Sequence, residues 1–253
     1  MKRLLFDTVQ GITRLAGYDL AKQSSYSLGN SSSVAAIAAH LKDLFRELGT
    51  QTVIDVGANK GQYYDFLRDR ADFRGRIVSF EPIPEHAQEL TRRSSADPLW
   101  SVHNMALGRQ RGTLPLNISD KTGWSSLLRK SESDTNEVVA AISIERVVDV
   151  QVHTLDEVFA GLEPDLDPSR CYLKLDSQGF DLEIMRGAPK SLPQLPALQS
   201  ELELLKVYEQ APDYLEVLAF LRSQGFSITG LFPIWADKLL RIGEVDAVFR
   251  KAG

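Results

Sequence analysis

The sequence predicts an α/β fold in which a doubly wound, mostly parallel seven-stranded sheet is closed by an antiparallel hairpin. From residue 51 onward, short apolar runs alternate with amphipathic stretches, which is the pattern of strands joined by crossover helices. The last two apolar runs have no helix between them, because "FPIWADKLLRIGE" joins them directly. We therefore expect these two strands to pair antiparallel at one end of the sheet.

Composition limits the classes of function. Of the 253 residues, 43% are hydrophobic and 25% charged, as in ordinary globular proteins. The net charge of -5 argues against nucleic acid as a partner. The single Cys171 permits no internal disulfide and fits a reducing compartment. Because no apolar stretch reaches ~18 residues and the N-terminus lacks a signal peptide's apolar core, we expect no integral membrane segment and a cytoplasmic location. Nothing in the sequence indicates an oligomeric state.

The first fifty residues differ from the rest and predict a helical extension, residues 1–50, before a main domain of residues 51–253. Apolar residues recur at helical spacing in the first part, at Leu4, Leu5, Val9, Ile12 and Leu15. A second apolar stripe runs from Val34 to Leu48, with Ser33 as a cap and Gly49 as a stop. The first helix could lie on a membrane, but packing against its own domain is favoured.

The elements of the main domain follow in order. Strands are predicted at Thr52–Val56, Arg76–Glu81, Leu99–His103, Cys171–Asp176, Ala197–Leu204, Ser227–Leu231 and Asp246–Phe249. Helices are predicted at Gly61–Arg70, Pro84–Ser95, Leu155–Gly161, Phe180–Arg186 and Tyr214–Gln224. Residues 108–152 fit no simple strand–helix unit, and "GTLPLNIS" and "VVDVQVH" indicate extra strands around a loop.

The turn after the first strand, "VIDVGANKGQ", has the pattern D-x-G-x-N-x-G. Gly57 and Gly61 permit close approach to the backbone, and the next helix offers free N–H groups. Asn59 stands where a dinucleotide-binding turn has its middle glycine, which argues against a pyrophosphate ligand. The turn suits a ligand with a small zwitterionic end, such as S-adenosylmethionine, although a plain strand–helix joint has the same appearance.

An acidic residue ends the second strand, in "RIVSFEP". Glu81 lies 20 residues after Gly61, where doubly wound folds place a carboxylate that accepts hydrogen bonds from ribose hydroxyls. Asn104, at the end of the third strand, could meet an adenine edge, or it could form a local turn. Together these residues predict a nucleoside-binding edge.

Two acidic residues end later strands. Asp176 follows the fourth strand and could contact the cofactor's charged end or act on the substrate. Lys174 lies on the same strand face, so a buried ion pair is the alternative. Glu201 is the second candidate base, unless its face of the strand is solvated. His103 is a further candidate base. A metal bound by Asp176 and Glu201 is possible in principle, but no compact ligand cluster is visible.

The segments "VIDVGANKGQ", "SFEP", "ALG", "SSL", "TLDE" and "LKLDSQGFDLEIMRGA" occur in this order. With them the chain resembles the FkbM-type family of S-adenosylmethionine-dependent methyltransferases, from about Thr52 to Phe226. The resemblance implies the class I, Rossmann-like methyltransferase fold and transfer of methyl to a hydroxyl of a sugar, a glycan or another natural product. It also implies that the cofactor is held by Asp55, Gly57, Asn59, Gly61 and Glu81.

Two alternatives remain open. A nicotinamide-dependent oxidoreductase would share the fold class, but the turn spacing and Asn59 disfavour it. A module that binds S-adenosylmethionine without catalysis would keep the turn. The acidic strand ends argue against that alternative without excluding it.

Overall fold

The computed structural model describes residues 31–120, 122–131 and 137–251, so the helix predicted near the N-terminus lies outside the described residues. The strands are β1 Thr52–Val56, β2 Arg76–Phe80, β3 Trp100–His103, β4 Ala106–Leu107, β5 Gly112–Ser119, β6 Ile144–His153, β7 Cys171–Leu175, β8 Ala197–Glu203, β9 Phe226–Ala236 and β10 Ile242–Lys251. The helices are α1 Ser31–Leu48, α2 Gln62–Asp69, α3 Pro84–Ser94, α4 Glu137–Ala140, α5 Leu155–Glu157, α6 Asp181–Arg186 and α7 Tyr214–Ser223.

The main sheet has seven strands in the order β3-β2-β1-β7-β8-β10-β9, which confirms the predicted fold class. Strands β3, β2, β1, β7 and β8 run parallel, and β10 pairs antiparallel with both β8 and β9. The chain builds outward from β1 to β3 and then returns to β7 on the other side of β1. Ligands of open α/β sheets bind at the carboxyl edge where the strand order reverses in this way.

The terminal hairpin is longer than the sequence predicted. The predicted strands Ser227–Leu231 and Asp246–Phe249 extend to the full β9 and β10, because each strand satisfies the other's backbone groups over most of its length. The predicted helix Leu155–Gly161 is also different. A capping box of Thr154 and Glu157 starts it, but after the single turn of α5 it continues as a π-helical turn, Val158–Leu162.

The extra strands form a sheet of their own. β5 and β6 pair antiparallel and β4 adds to β6, giving a three-stranded sheet. Leu116 and Val152 of this sheet pack against Ile83, which follows β2. The small sheet therefore stands beside the carboxyl edge of β2 and covers that part of the edge.

Helix α1 packs into the core of the main domain. Ile37, Leu41 and Phe45 are buried in one cluster with Phe73 and Tyr172, and Leu41 has no exposed surface. The Phe45 ring meets those of Phe73 and Tyr172 edge-on, at centroid distances of 5.2 and 4.9 Å. The described part of the predicted extension thus shares the core of the main domain. None of the helices that the structure describes is both long and apolar enough to cross a membrane.

Candidate active site

The turn between β1 and α2 depends on its glycines. Gly57 has φ 81°, and a Cβ there would lie 1.9 Å from the backbone oxygen of Asp176. Gly61 has φ 86° and forms the N-cap of α2, and Asn59 also has a positive φ, of 48°. The ends of β1 and β7 can approach this closely only because Gly57 lacks a side chain.

Asp55 contacts the two strands on either side of β1, which carries the turn. It is fully buried, its Oδ2 accepts a hydrogen bond from Ser79 Oγ at 3.1 Å, and its Oδ1 lies 3.3 Å from Lys174 Nζ. Ser79 and Lys174 are its direct neighbours on β2 and β7, so the contacts follow from strand register. Burial raises the pKa of Asp55, and the Lys174 charge opposes that rise. Asp55 therefore braces the strands that carry the turn.

Glu81 joins the turn to the end of β2. Its Oε2 accepts a hydrogen bond from the Asn59 N–H at 2.6 Å, and its Oε1 accepts one from the Ile83 N–H at 2.7 Å. Burial raises the pKa of Glu81 to about 8, although both backbone bonds act against the rise. Each carboxyl oxygen retains a lone pair for a second donor. Glu81 also lines a cavity of about 70 Å³, together with Leu116 and Ser125.

Asn104 is used locally in this structure. Its side-chain amide donates to the backbone oxygens of Glu81, at 2.9 Å, and Pro82, at 3.2 Å. It is not among the described residues that line the cavity beside Glu81. These bonds match the local-turn alternative, and a contact of Asn104 with the cofactor stays a prediction.

A larger cavity of about 440 Å³ adjoins the first, between α1, α2 and the ends of the central strands. Both cavities are lined by the same five residues where they meet: Gly57, Asn59, Gly123, Asp176 and Gln178. The glycine turn and the candidate base Asp176 thus lie at one junction, as expected from their positions at strand ends.

Asp176 is ionised at this junction. Its Oδ2 lies 3.1 Å from Lys174 Nζ, and its Oδ1 accepts a hydrogen bond from Gln178 Nε2 at 3.0 Å. Burial alone would raise the pKa of Asp176, but Lys174, with Glu201 and Gln178, outweighs burial and lowers it. Burial likewise opposes the charge of Lys174, yet Asp176 and Asp55 raise its pKa. The predicted ion pair is therefore present, and it lines the cavity.

Glu201 is the protonated partner of Asp176. Gln178 Nε2 also donates to Glu201 Oε2, at 3.0 Å, so one amide bridges the two carboxyl groups. Burial, followed by the charges of Asp176 and Glu244, raises the pKa of Glu201 well above its usual range. The pair thus combines an ionised and a neutral carboxyl group, of which the ionised one can accept a proton from a hydroxyl.

Two further acids, both on β10, were missed by sequence reasoning. Asp246 lies opposite Glu201 in the antiparallel register, and Glu244 accepts a hydrogen bond from Trp235 Nε1 at 3.1 Å. Burial and the Asp176 charge raise the pKa of Glu244 well above its usual range, and burial raises that of Asp246 to about 6. The alternation in "GEVDAVF" placed both acids on one strand face, which was the available signal.

Aromatic rings line the rest of the larger cavity. The rings of Trp124 and Trp235 meet edge-on at 6.4 Å, and those of Tyr63 and Phe66 stack at 5.5 Å. Rings beside carboxyl groups form a surface on which a polar ring can stack and form hydrogen bonds. The Phe232 ring lies against the ring of His40 of α1, at a centroid distance of 5.6 Å.

The remaining sequence candidate lies outside both cavities. His103 Nε2 is 2.8 Å from Glu163 Oε1, and the His103 ring stacks on Phe80. It is not among the described residues that line either cavity. Among residues 31–120, 122–131 and 137–251, no group of three or more His, Cys, Asp or Glu side chains is arranged to hold a metal ion.

Comparisons with known proteins agree with this architecture. The model of the methyltransferase FkbM domain matches residues 55–228. Methyltransferase FkbM from Methylobacillus flagellatus KT superposes with a TM-score of 0.50 at 16% identity, over 89% of this chain and 56% of that one. The chain therefore spans just over half the length of that protein. No protein of curated function matches the sequence significantly.

Two other solved structures are similar at lower scores. Magnesium protoporphyrin IX methyltransferase from Synechocystis PCC 6803 has a TM-score of 0.47 at 10% identity, over 87% of this chain and 79% of that one. An rRNA methylase from Streptococcus thermophilus has a TM-score of 0.44 at 11% identity, over 85% of this chain and 96% of that one.

The strand order, the glycine turn and the acidic residue after β2 define a class I, Rossmann-like methyltransferase. Since the matched segment covers more than half of the sequence, the chain belongs to the FkbM family of S-adenosylmethionine-dependent methyltransferases. The resemblance seen in the sequence is thus confirmed, and membership of this family implies S-adenosylmethionine as cofactor.

Proposed function

We propose that this protein transfers the methyl group of S-adenosylmethionine to a hydroxyl oxygen of a sugar, a glycan or another natural-product acceptor. The carrying observation is the Asp176–Glu201 pair, which lies at the junction of the two cavities with one member ionised. A hydroxyl is a weak nucleophile until its proton is removed, and Asp176 supplies an acceptor for that proton.

The residues present fit S-adenosylmethionine. Glu81 keeps lone pairs for the ribose hydroxyls, and Gly57 and Asn59 leave the backbone of the turn open at the cavity. The acidic lining suits a cofactor that carries a sulfonium and an ammonium. When bound, the cofactor supplies an electrophilic methyl group whose sulfur keeps the bonding electron pair. Asp176 takes the hydroxyl proton, and Lys174 holds Asp176 in place.

The negative net charge of the protein favours a small or neutral acceptor over nucleic acid. The chain has a net charge of -5, which does not attract a phosphate backbone. We place the protein in the cytoplasm, in agreement with its single, buried Cys171.

A binding experiment tests the cofactor half of the proposal. Calorimetric titration should show one site for S-adenosylmethionine and for S-adenosylhomocysteine, and no binding of nicotinamide dinucleotides. The acceptor is then sought by mass spectrometry of small molecules and glycans from cells with and without this chain, as a difference of one methyl unit. Binding of a nicotinamide cofactor alone would overturn the proposal.

Mutagenesis with the identified acceptor tests the catalytic half. Asp176→Asn and Glu201→Gln should keep the fold but lower methyl transfer at least about tenfold, since a general base contributes ~100- to 10,000-fold. Glu163→Gln, which alters a buried carboxyl group outside the cavities, is the control. A chelator should leave the wild-type rate unchanged, and a rate abolished by the chelator and restored by magnesium would replace base catalysis with metal catalysis. Full activity in both cavity variants would show that the carboxyl groups are structural.

A further inference from the structure

Gln178 is the buried residue that connects the two acids of the pair. It follows β7, is 8% exposed and lines both cavities. Its side-chain nitrogen carries two hydrogens, one aimed at Asp176 Oδ1 and the other at Glu201 Oε2, both at 3.0 Å. Its backbone has a φ of 52°, a conformation that is costly for a residue other than glycine.

We propose, resting on the function proposed above, that Gln178 is a positioning residue whose amide keeps Asp176 as the proton-accepting member of the pair and Glu201 as the protonated member. Gln178 acts only through these two carboxyl groups. The role is distinct from binding either substrate.

The orientation of the Gln178 amide is fixed by its surroundings. Tyr208, which is 2% exposed, lies with its hydroxyl 3.0 Å from both Gln178 Oε1 and the Trp124 backbone oxygen, so its one hydrogen is shared between two acceptors. Ser126 Oγ donates to the Gln178 backbone oxygen at 2.7 Å. Turning the amide over would aim its oxygen at the ionised Asp176 carboxylate, which can only accept a hydrogen bond. The amide nitrogen therefore faces the acids.

The charges around the pair make its two members unequal. The titratable groups facing the pair from neighbouring elements are Asp55 on β1, Tyr63 on α2, Lys174 on β7, Asp181 on α6, Glu203 on β8, Tyr208 after β8, and Glu244 and Asp246 on β10. Lys174 is the positive charge in this set and lies against Asp176, whereas Asp246 lies opposite Glu201 in the strand register. Because Lys174 lies against Asp176, it favours ionisation of Asp176 over Glu201. Gln178 donates to both carboxyl groups and so holds them close together.

Removing the Gln178 amide should change the pKa of the acid pair in one direction only. A hydrogen bond to the ionised form of an acid lowers its pKa, so loss of the Gln178 donor raises the pKa of the pair. Asp176 then takes up a proton at a higher pH, which moves the acid limb of the pH–rate profile upward. A role confined to packing would lower stability without moving this titration.

The experiment is an infrared titration of the purified, cofactor-free protein, following the band of protonated carboxyl groups with pH. Asp176→Asn assigns the step that belongs to Asp176. Gln178→Met, similar in size but without the amide, should move this step upward by about one pH unit. Gln178→Glu should move it further in the same direction, because a third acid replaces the donor.

Tyr208→Phe keeps the buried ring but removes the hydroxyl beside Gln178 Oε1, which weakens the restraint on the amide, and it should give a smaller upward shift. It also keeps the test open if a substitution at Gln178 prevents folding. Tyr64→Phe is the matched control, since it removes a tyrosine hydroxyl bonded to Asp97 at 2.9 Å outside the cavities, and it should leave the step unchanged. With an identified acceptor, the acid limb of the pH–rate profile should shift with the infrared step.

The outcomes separate this inference from the proposed function. An unshifted step in folded Gln178→Met or Tyr208→Phe, together with an inactive Asp176→Asn, overturns the role of Gln178 alone. A shifted step together with a fully active Asp176→Asn overturns Asp176 as the base, although Gln178 still controls the protons of the pair. Shifts in the three cavity variants with a parallel loss of activity support both.

Discussion

The carboxyl edge of the main sheet has two halves, and buried carboxyl groups have different surroundings in each half. At the ends of β1 and β2, the carboxyl groups of Asp55 and Glu81 are matched by a serine, a lysine and two backbone N–H groups. At the ends of β7, β8 and β10, buried carboxyl groups crowd together and Glu201 and Glu244 keep their protons. The first half is a framework in which each carboxyl group has its own partners, although burial still raises the pKa values of Asp55 and Glu81. In the second half the carboxyl groups lie against one another.

The difference shows which parts of a site tolerate change. Buried polar groups that have hydrogen-bond partners hold the site in one geometry, so altering one of them should disrupt the structure or cofactor binding. Crowded acids cost stability, so neutralising one that takes no part in the reaction should strengthen the fold. The predictions below test this contrast, beginning with the largest effect.

Gly57→Ala should break the framework. The added Cβ would lie 1.9 Å from a backbone oxygen of Asp176, and φ 81° is itself unfavourable for alanine. We expect a loss of more than about 3 kcal/mol in the free energy of unfolding and no measurable cofactor binding. Chemical denaturation and calorimetry measure the two. Gly112→Ala is the control, because a Cβ there meets nothing within 4 Å. Equal stability of the two variants would contradict the close approach.

At a pH above about 8, where Glu81 is ionised, Glu81→Ala should weaken cofactor binding by ~1.5–3 kcal/mol, about ten- to a hundredfold in Kd, because the ribose hydroxyls lose a charged acceptor. The variant should also be less stable, since the Asn59 and Ile83 N–H groups lose their partner. Calorimetric titration with S-adenosylhomocysteine measures the affinity, with Glu85→Ala on the neighbouring surface as control. Unchanged affinity in a folded protein would leave Glu81 with only its role in the turn.

Asp246→Asn should stabilise the cofactor-free protein. The pKa of Asp246 is raised to about 6 in the folded chain, so folding favours the protonated carboxyl group. The free energy of unfolding therefore decreases as the pH rises above the pKa that Asp246 has in the unfolded chain. Asparagine removes this cost and can keep the bond from Gln199 Nε2. The gain should be about 1–3 kcal/mol at pH 7 and vanish near pH 3. Calorimetric melting at the two pH values measures it, and a gain independent of pH would refute the charge explanation.

Asn104→Ala should have the smallest effect. Its amide bonds to the Glu81 and Pro82 carbonyls, so we expect a loss of about 1 kcal/mol in stability. Cofactor affinity should fall less than in Glu81→Ala. An equal or larger fall would show that Asn104 touches the adenine directly, which would restore the prediction made from the sequence.

The framework half of the site was largely predictable from sequence. Turn glycines, an acid after a strand and a helix start are local signals. Gly57 and Glu81 line the smaller cavity, and Gly61 forms the N-cap of α2. Strand alternation likewise predicted the ion pair of Lys174 with Asp176. These features depend on residues near one another in the chain or on the ends of successive strands.

The half of the site at the ends of β7, β8 and β10, where the acids crowd together, was not predictable in the same way. Asp246 meets Glu201 only because β10 is inserted beside β8 in a particular register, and no local pattern fixes that register. The bridge from Gln178 depends on Tyr208, thirty residues later, and on a left-handed backbone conformation. His103 looked available near the edge, but its ring is bonded to Glu163, sixty residues away.

The larger cavity crosses the limits of the segment that defines the family. Gly57, Asp176 and Glu201 lie within residues 55–228, whereas Val34, Ile37, Ile234, Trp235, Glu244 and Asp246 lie outside it. One wall is therefore inherited with the family, and the opposite wall is supplied by the flanks of the chain. We expect that exchanging those flanks would change which acceptor fits the cavity, without altering residues 55–228.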